Sequence, residues 1–267
     1  MGHGAKSVAV KRTKLINTSR IIREIWMEGQ TSRVDIARNL ALDKSTISAI
    51  VGELLDLGVI RETTEGSAGP QGGRKPVYLR LNQNFGCVVG IELRPESYTA
   101  SAVDLAGNVV FSKFEHMQNA GSRLRDSVLE IVELMRPDLD RAGLPLLGVG
   151  VALSGVVNPQ TGAVRYSIPL KLTESYNIYE DMEGRLGVPF FVENDANACA
   201  WGELAYHRHR NLTDFIFALV EFRDLERTAI IHEKTAVGFG IVINGKVHYA
   251  YRYSAGEFRS LYRDPDI

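Results

Sequence analysis

Apolar residues recur at helical spacing in Leu15, Ile16, Ile21, Ile22, Ile25 and Trp26, which predicts a first helix ending near Gly29. Ser32 stands three residues before Asp35, a helix-start pattern with Asp in place of Glu. Val34, Ile36, Ala37 and Leu40 then give a short second helix its inner face, and Leu42-Asp43 makes a turn with Asp43 as the next N-cap. Ile47, Ile50, Val51, Leu54 and Leu55 form the stripe of a third helix that Gly58 ends. Val59 to Glu62 and Val77 to Leu81 alternate as two strands around a Gly/Ser/Pro-rich loop. Three helices followed by such a hairpin predict a winged helix-turn-helix, with Thr31 to Ile60 as the helix-turn-helix.

From Cys87 the pattern changes. Cys87–Leu93, Tyr98–Asp104 and Asn108–Glu115 read as strands, Ser122–Leu139 as an amphipathic helix, and the apolar run Leu146–Leu153 as a buried strand. Phe190-Phe191-Val192 is a strand running into Glu193-Asn194-Asp195, and Ala196 to Leu204 continues as a small-residue helix. Alternating strands and helices argue for an α/β body.

The chain has 267 residues, which is long for one domain. Its net charge of −1 hides an asymmetry: residues 1–80 hold 13 Lys and Arg against 8 Asp and Glu, and the remainder 18 against 24. A basic head of +5 on an acidic body of −6 suggests that the head alone meets a polyanion. No apolar run has the length of a membrane span, the N-terminus lacks a signal-peptide core, and Cys87 and Cys199 form no paired motif. These features fit a cytoplasmic protein.

The third predicted helix leaves Lys44, Ser45, Thr46 and Ser48 outward at its start, the end that enters a major groove in helix-turn-helix proteins. Short hydroxyls and a lysine reach phosphates or base edges there. Arg74 and Lys75 in Gly73-Arg74-Lys75-Pro76 are candidates for the wing, Arg74 for a minor groove; a hairpin tip touching only phosphates is the plainer reading. In the body, Asn194 and Asp195 at a strand end suit sugar hydroxyls, though either also serves as a helix cap. His207 and His209 read as surface residues rather than metal ligands.

Together the head with its GRKPVYLRLN exit, GVGVALSGVVNPQTGAV (148–164), VPFFVENDANACAWGE (188–203), GFGIVINGKVHYA (238–250) and SAGEF (254–258) resemble the ROK-family transcriptional regulators. That resemblance implies a winged helix fused to an actin/hexokinase-type (ribonuclease H-like), sugar-kinase-like body. It implies domains at 1–82 (head), 83–204 (first lobe) and 205–267 (part of a second lobe left incomplete). It also implies sugar contacts from Asn194, Asp195 and Glu257, with Asp195 matching the kinases' general base. Asn158, Pro159, Thr161 and Gly162 match a loop that shapes the sugar pocket.

Two departures set this chain apart from the family's kinases. The early DxGxT-type loop is replaced by Gly90-Ile91-Glu92-Leu93-Arg94-Pro95-Glu96-Ser97, where proline removes an amide and the carboxylates repel phosphate. The second phosphate loop reads Glu233 to Gly240 and keeps only part of its glycines. Ser260 stands where the family's zinc-binding His would be, so no metal and no cofactor are expected. The expectation is a non-enzymatic regulator, a repressor of sugar-metabolism genes. Its partners are a double-stranded DNA operator, a sugar or sugar-derivative effector and a second copy in a homodimer or higher homo-oligomer. The rival readings are a DNA-binding dimer whose body takes no small molecule or meets a protein partner, and an active sugar kinase.

Overall fold

The computed structural model describes residues 2–63, 77–118, 123–222 and 235–257, with side chains from Lys11 onward except that of His209. The chain divides into two units, residues 1–85 with 104–108, and residues 86–103 with 109–267.

The first unit contains α1 (Gly2–Glu28), β1 (Thr31–Ser32), α2 (Arg33–Leu40), α3 (Lys44–Asp56), β2 (Ile60–Thr63) and β3 (Tyr78–Leu81). The three strands form an antiparallel sheet in the order β1-β3-β2. Ile21 and Ile25 from α1, Ile36 from α2, Ile47, Ile50, Val51 and Leu54 from α3, and Ile60 and Leu79 from the sheet share one buried core. Leu15 and Ile16 on α1 are 67% and 51% exposed. One expectation is corrected here, the placing of Val34 on the inner face of α2. Val34 is 63% exposed, because two residues before Ile36 lies on the opposite face of a helix.

Both short helices are capped as their sequences require. Ser32 Oγ accepts from Asp35 N at 3.2 Å and donates to Asp35 Oδ2 at 2.7 Å. Asp43 Oδ1 accepts from Thr46 N at 2.7 Å, and the hydroxyls of Ser45 and Thr46 donate to the same carboxylate at 2.5 and 2.7 Å. These bonds, the Ser45 hydroxyl first, hold the Asp43 carboxyl well below the usual carboxylate range.

The second unit is built on a five-stranded sheet in the order β11-β7-β4-β5-β6. These strands are β4 (Cys87–Leu93), β5 (Ser97–Asp104), β6 (Val109–His116), β7 (Leu146–Leu153) and β11 (Phe190–Asn194). β4, β7 and β11 run parallel, and β5 and β6 make an antiparallel hairpin. α4 (Leu124–Ala142) lays Leu124, Val128, Ile131, Val132, Met135 and Leu139 on the sheet, burying one apolar stripe at helical spacing. β8 (Val156–Asn158), β9 (Ala163–Tyr166) and β10 (Tyr176–Asn177) form a small antiparallel sheet that leads into α5 (Ile178–Met182).

A second sheet follows, with β12 (Phe215–Phe222), β13 (Thr235–Ile243) and β14 (Lys246–Val247) antiparallel in that order. α6 (Asp195–Tyr206) leaves the end of β11 and packs Ala200 against Val242 of β13 and Val247 of β14. No described helix is long and apolar enough to cross a membrane.

Ile47 and Ser48 are adjacent on α3 but differ in burial, Ile47 being 1% exposed and Ser48 exposed. Ile47→Ala is expected to destabilise the head by about 2–5 kcal/mol. Ser48→Ala is expected to change its stability by less than about 0.5 kcal/mol. Urea unfolding followed by Trp26 fluorescence in a Trp201→Phe background measures both.

Candidate functional site

Parallel pairing sets the geometry of the body's carboxyl-end rim. Leu93 of β4, Leu153 of β7 and Asn194 of β11 stand in one row across the sheet. The next residue of each strand, Arg94, Ser154 and Asp195, therefore begins the same carboxyl-end rim, where α/β sheets bind ligands.

Asp195 is the first residue of α6. Its Oδ2 accepts from Ser154 Oγ at 2.5 Å, and its Oδ1 accepts from Ala196 N at 2.8 Å. Burial pushes its pKa up against those two bonds, and the nearby carboxylates of Glu221 and Glu92 push the same way. Asn194 caps α6: its Oδ1 accepts from Asn197 N at 3.0 Å, while its Nδ2 donates to Gly155 O at 3.0 Å. Each end keeps one further hydrogen-bonding position.

Glu193 is a third polar group in this motif, and the sequence reading assigned it no role. Its Oε1 accepts from Asn194 N at 2.9 Å and its Oε2 from Tyr249 Oη at 2.7 Å. Trp201 Nε1 in turn donates to Tyr249 Oη at 3.1 Å. Burial raises the Glu193 carboxyl above its ordinary range, and burial followed by the Glu193 bond raises the Tyr249 phenol. This network ties the end of β11 to the segment after β14.

Arg94 lies in the stretch that stands in place of the family kinases' first phosphate loop. Its Nε and Nη2 donate to Glu92 Oε1 at 3.0 and 2.7 Å, and its Nη1 lies 3.6 Å from Glu221 Oε1 on β12. The described part of the second loop, Thr235 to Gly240, is the first two thirds of β13 and pairs with β12 throughout. Its surviving glycines have a packing reason. A Cβ on Gly240 would stand 2.4 Å from Ala196 O, so only glycine lets α6 approach β13 this closely.

Glu257 is exposed and its backbone bridges to Gly238 of β13. Gly256 before it has φ +84°, and a Cβ there would overlap Phe239 O at 1.7 Å. That residue is glycine because the chain presses against β13 in a left-handed conformation. The Asn158 loop is a turn: Asn158 Oδ1 accepts from Gln160 N and Thr161 N at 3.0 and 3.3 Å. Gln160 Oε1 accepts from Tyr253 Oη at 3.0 Å. Gln160 lines an open cleft of about 620 Å³ with Val247, His248, Tyr249, Ala250, Tyr251 and Tyr253. The tyrosines of His248-Tyr249-Ala250-Tyr251-Arg252-Tyr253 were legible as aromatic density beside the Glu257 motif, but nothing in the spacing assigned them to this cleft.

On the head, Lys44, Ser45 and Ser48 are exposed on the first turns of α3, and Thr46 is half-buried. The Ser45 and Thr46 hydroxyl hydrogens are directed to Asp43. Arg74 and Lys75 lie outside the described residues, as does Ser260. His207 pairs with Glu203 at 2.8 Å. Among the described residues no group of three or more His, Cys, Asp or Glu is arranged to hold a metal ion.

Residues 88–259 match the ROK family, and residues 15–61 match a winged helix-turn-helix DNA-binding family. The chain belongs to the ROK family. It is 24% identical over 245 residues to a xylose repressor of Bacillus subtilis (strain 168), covering 91% of this chain and 59% of that protein. It is 23% identical over 257 residues to an N-acetylglucosamine repressor of Escherichia coli O157:H7, covering 96% and 59%. The ROK chain thus spans about three fifths of the length of the curated relatives it matches. Among solved structures, a ROK family transcriptional regulator that is a homolog of the E. coli MLC protein superposes with TM-score 0.71 at 24% identity, covering 95% of this chain and 61% of that one. A ROK family glucokinase from Streptomyces griseus in complex with glucose and AMPPNP gives TM-score 0.51 at 22% identity, covering 65% and 49%. The fold is a winged helix-turn-helix followed by an actin/hexokinase-type ROK domain.

Because burial raises the Asp195 pKa, folding favours its protonated form more than the unfolded chain does. The stabilising contribution of that form is present below the ordinary carboxylate range and is lost as pH rises through the raised folded value. Asp195→Asn is therefore expected to melt at a higher temperature than the parent near pH 7, with the gap closing toward about pH 4. Differential scanning calorimetry across that range checks it, and a lower melting temperature at neutral pH would contradict the burial argument.

Proposed function

We propose that this chain is the operator-binding and effector-sensing part of a sugar-responsive transcriptional repressor, and that its ROK body does not transfer phosphate. The observation that carries this reading is the combination, in one chain, of a winged-helix head and a ROK body whose first phosphate-loop position holds the ion-paired Glu92 and Arg94. Phosphoryl transfer depends on positioning the phosphates and stabilising their charge. A carboxylate and an occupied guanidinium supply neither the free amides nor the free positive charge. The repressor names of the relatives support the same direction.

In the proposed mechanism the start of α3 enters the major groove. Lys44 and Ser48 make the outward contacts there, helped by the positive end of the helix. Ser45 and Thr46, whose hydroxyl hydrogens serve Asp43, offer only lone pairs outward, so their part is to fix the helix start against phosphate rather than to donate to it. Arg74 and Lys75 add contacts to phosphate or to a minor groove. A homodimer or higher homo-oligomer sets two heads on a two-fold operator, with half-sites about one helical turn or a multiple apart.

Sugar hydroxyls bind at Asp195, at the remaining positions of Asn194 and at Glu257. Asp195 acts there as a hydroxyl acceptor, not as a base. The sugar releases the operator by binding more tightly to the conformation that does not hold DNA.

The buried carboxyl of Asp195 with its raised pKa also suits a general base, which is the observation favouring an active kinase. Incubation with labelled ATP and a sugar panel decides between the two. The repressor reading expects no sugar-dependent turnover, and turnover that Asp195→Asn abolishes would overturn it.

Operator binding by fluorescence anisotropy tests the head. Lys44→Ala is expected to weaken binding and to reduce the slope of log affinity against log salt by about 0.9. Asp195→Ala is expected to keep operator affinity and lose a sugar response of roughly 5–150-fold. An Asp195→Ala protein that still responds normally to sugar would move the pocket elsewhere.

A further inference from the structure

We propose that the carboxyl-end rim at Asp195 takes an uncharged sugar and rejects its phosphate esters, and that Glu92, Arg94 and Glu221 are the residues that discriminate. This inference rests on the sensor reading above and names the chemical class of its effector.

The charge along this rim decides the matter. Arg94, Ser154 and Asp195 follow the same row of β4, β7 and β11. Glu221 reaches Arg94 from β12, which lies in the second sheet. Asp195, Glu92 and Glu221 bring three carboxylates against the single guanidinium of Arg94, a formal balance of −2. That guanidinium is also committed. Two of its nitrogens donate to Glu92 Oε1 at 3.0 and 2.7 Å, and the third faces Glu221 at 3.6 Å. A phosphate seeking Arg94 has to displace one of these carboxylates and then sit beside both.

The hydrogen-bonding inventory points the same way. Ionised carboxylates only accept. Sugar hydroxyls donate, so a polyol matches an acceptor-rich rim. A phosphate ester near neutral pH carries a charge of about −1.5 to −2 and offers mainly acceptor oxygens. Acceptor then meets acceptor and negative meets negative. A neutral ligand leaves the Arg94 bridge between β4 and β12 in place.

The test is isothermal titration of the full chain with D-glucose, D-xylose and N-acetyl-D-glucosamine, and with the 6-phosphates of the two hexoses. The expected result is measurable binding of at least one neutral sugar, with phosphate esters weaker by on the order of 100-fold. Because exposed charges are screened, that ratio is expected to narrow between about 0.05 and 0.5 M salt. Glu92→Gln with Glu221→Gln removes two of the repelling charges and releases Arg94, and is expected to narrow the ratio by about tenfold or more. The salt series on the parent protein stands if that variant fails to fold. A phosphate ester that binds as tightly as its parent sugar, and whose binding Arg94→Ala abolishes, overturns this inference and leaves the sensor reading intact. Binding of neither class overturns both.

Discussion

The in-register parallel pairing of β4, β7 and β11 is the constraint on which the body's site depends. It brings three chain segments far apart in sequence to one rim, so that Ser154 can donate to Asp195 and Arg94 can follow in the same row. A slip of one residue in any of these strands would turn its rim residue to the other face of the sheet. The apolar sequence of β7, Leu146 to Leu153, resists that slip because it is the central parallel strand, paired on both sides.

The second sheet is held to this rim by close approach rather than by bulk. α6 begins with Asp195 and carries Ala196 and Ala200 to β13, where Gly240 leaves the space they need. Glu193 and Tyr249 add a polar tie between the same two regions. Glycines that resemble remnants of a phosphate loop in the sequence are thus explained by helix packing. A body can lose the loop's chemistry and still keep those residues, because the sheet and helix continue to need them.

Much of this was legible in the sequence. The helix periods around Ile36 and Ile47, the caps Ser32 and Asp43, and the strands Cys87–Leu93 and Leu146–Leu153 all follow local rules that the structure obeys. The errors had local causes as well. Val34 looked buried because a short apolar pattern does not by itself report which side of the helix each residue faces. The Ser154–Asp195 bond, the Glu193–Tyr249 tie and the Arg94–Glu221 pair join residues 41, 56 and 127 positions apart. No local pattern encodes such pairings, so only the topology reveals them. The hydroxyls of Ser45 and Thr46 illustrate the same limit at short range: both were read as outward, but Thr46 is half-buried and both hydroxyls are committed to Asp43.

In the proposed repressor one free energy couples operator binding at the head to sugar binding at the body. The direct measurement is reciprocal: operator affinity with and without saturating sugar, and sugar affinity with and without saturating operator, on the same protein at one salt concentration. Thermodynamic linkage requires the two ratios to be equal, and the account predicts equal ratios of at least about 5. A sugar that binds while leaving operator affinity unchanged would contradict it.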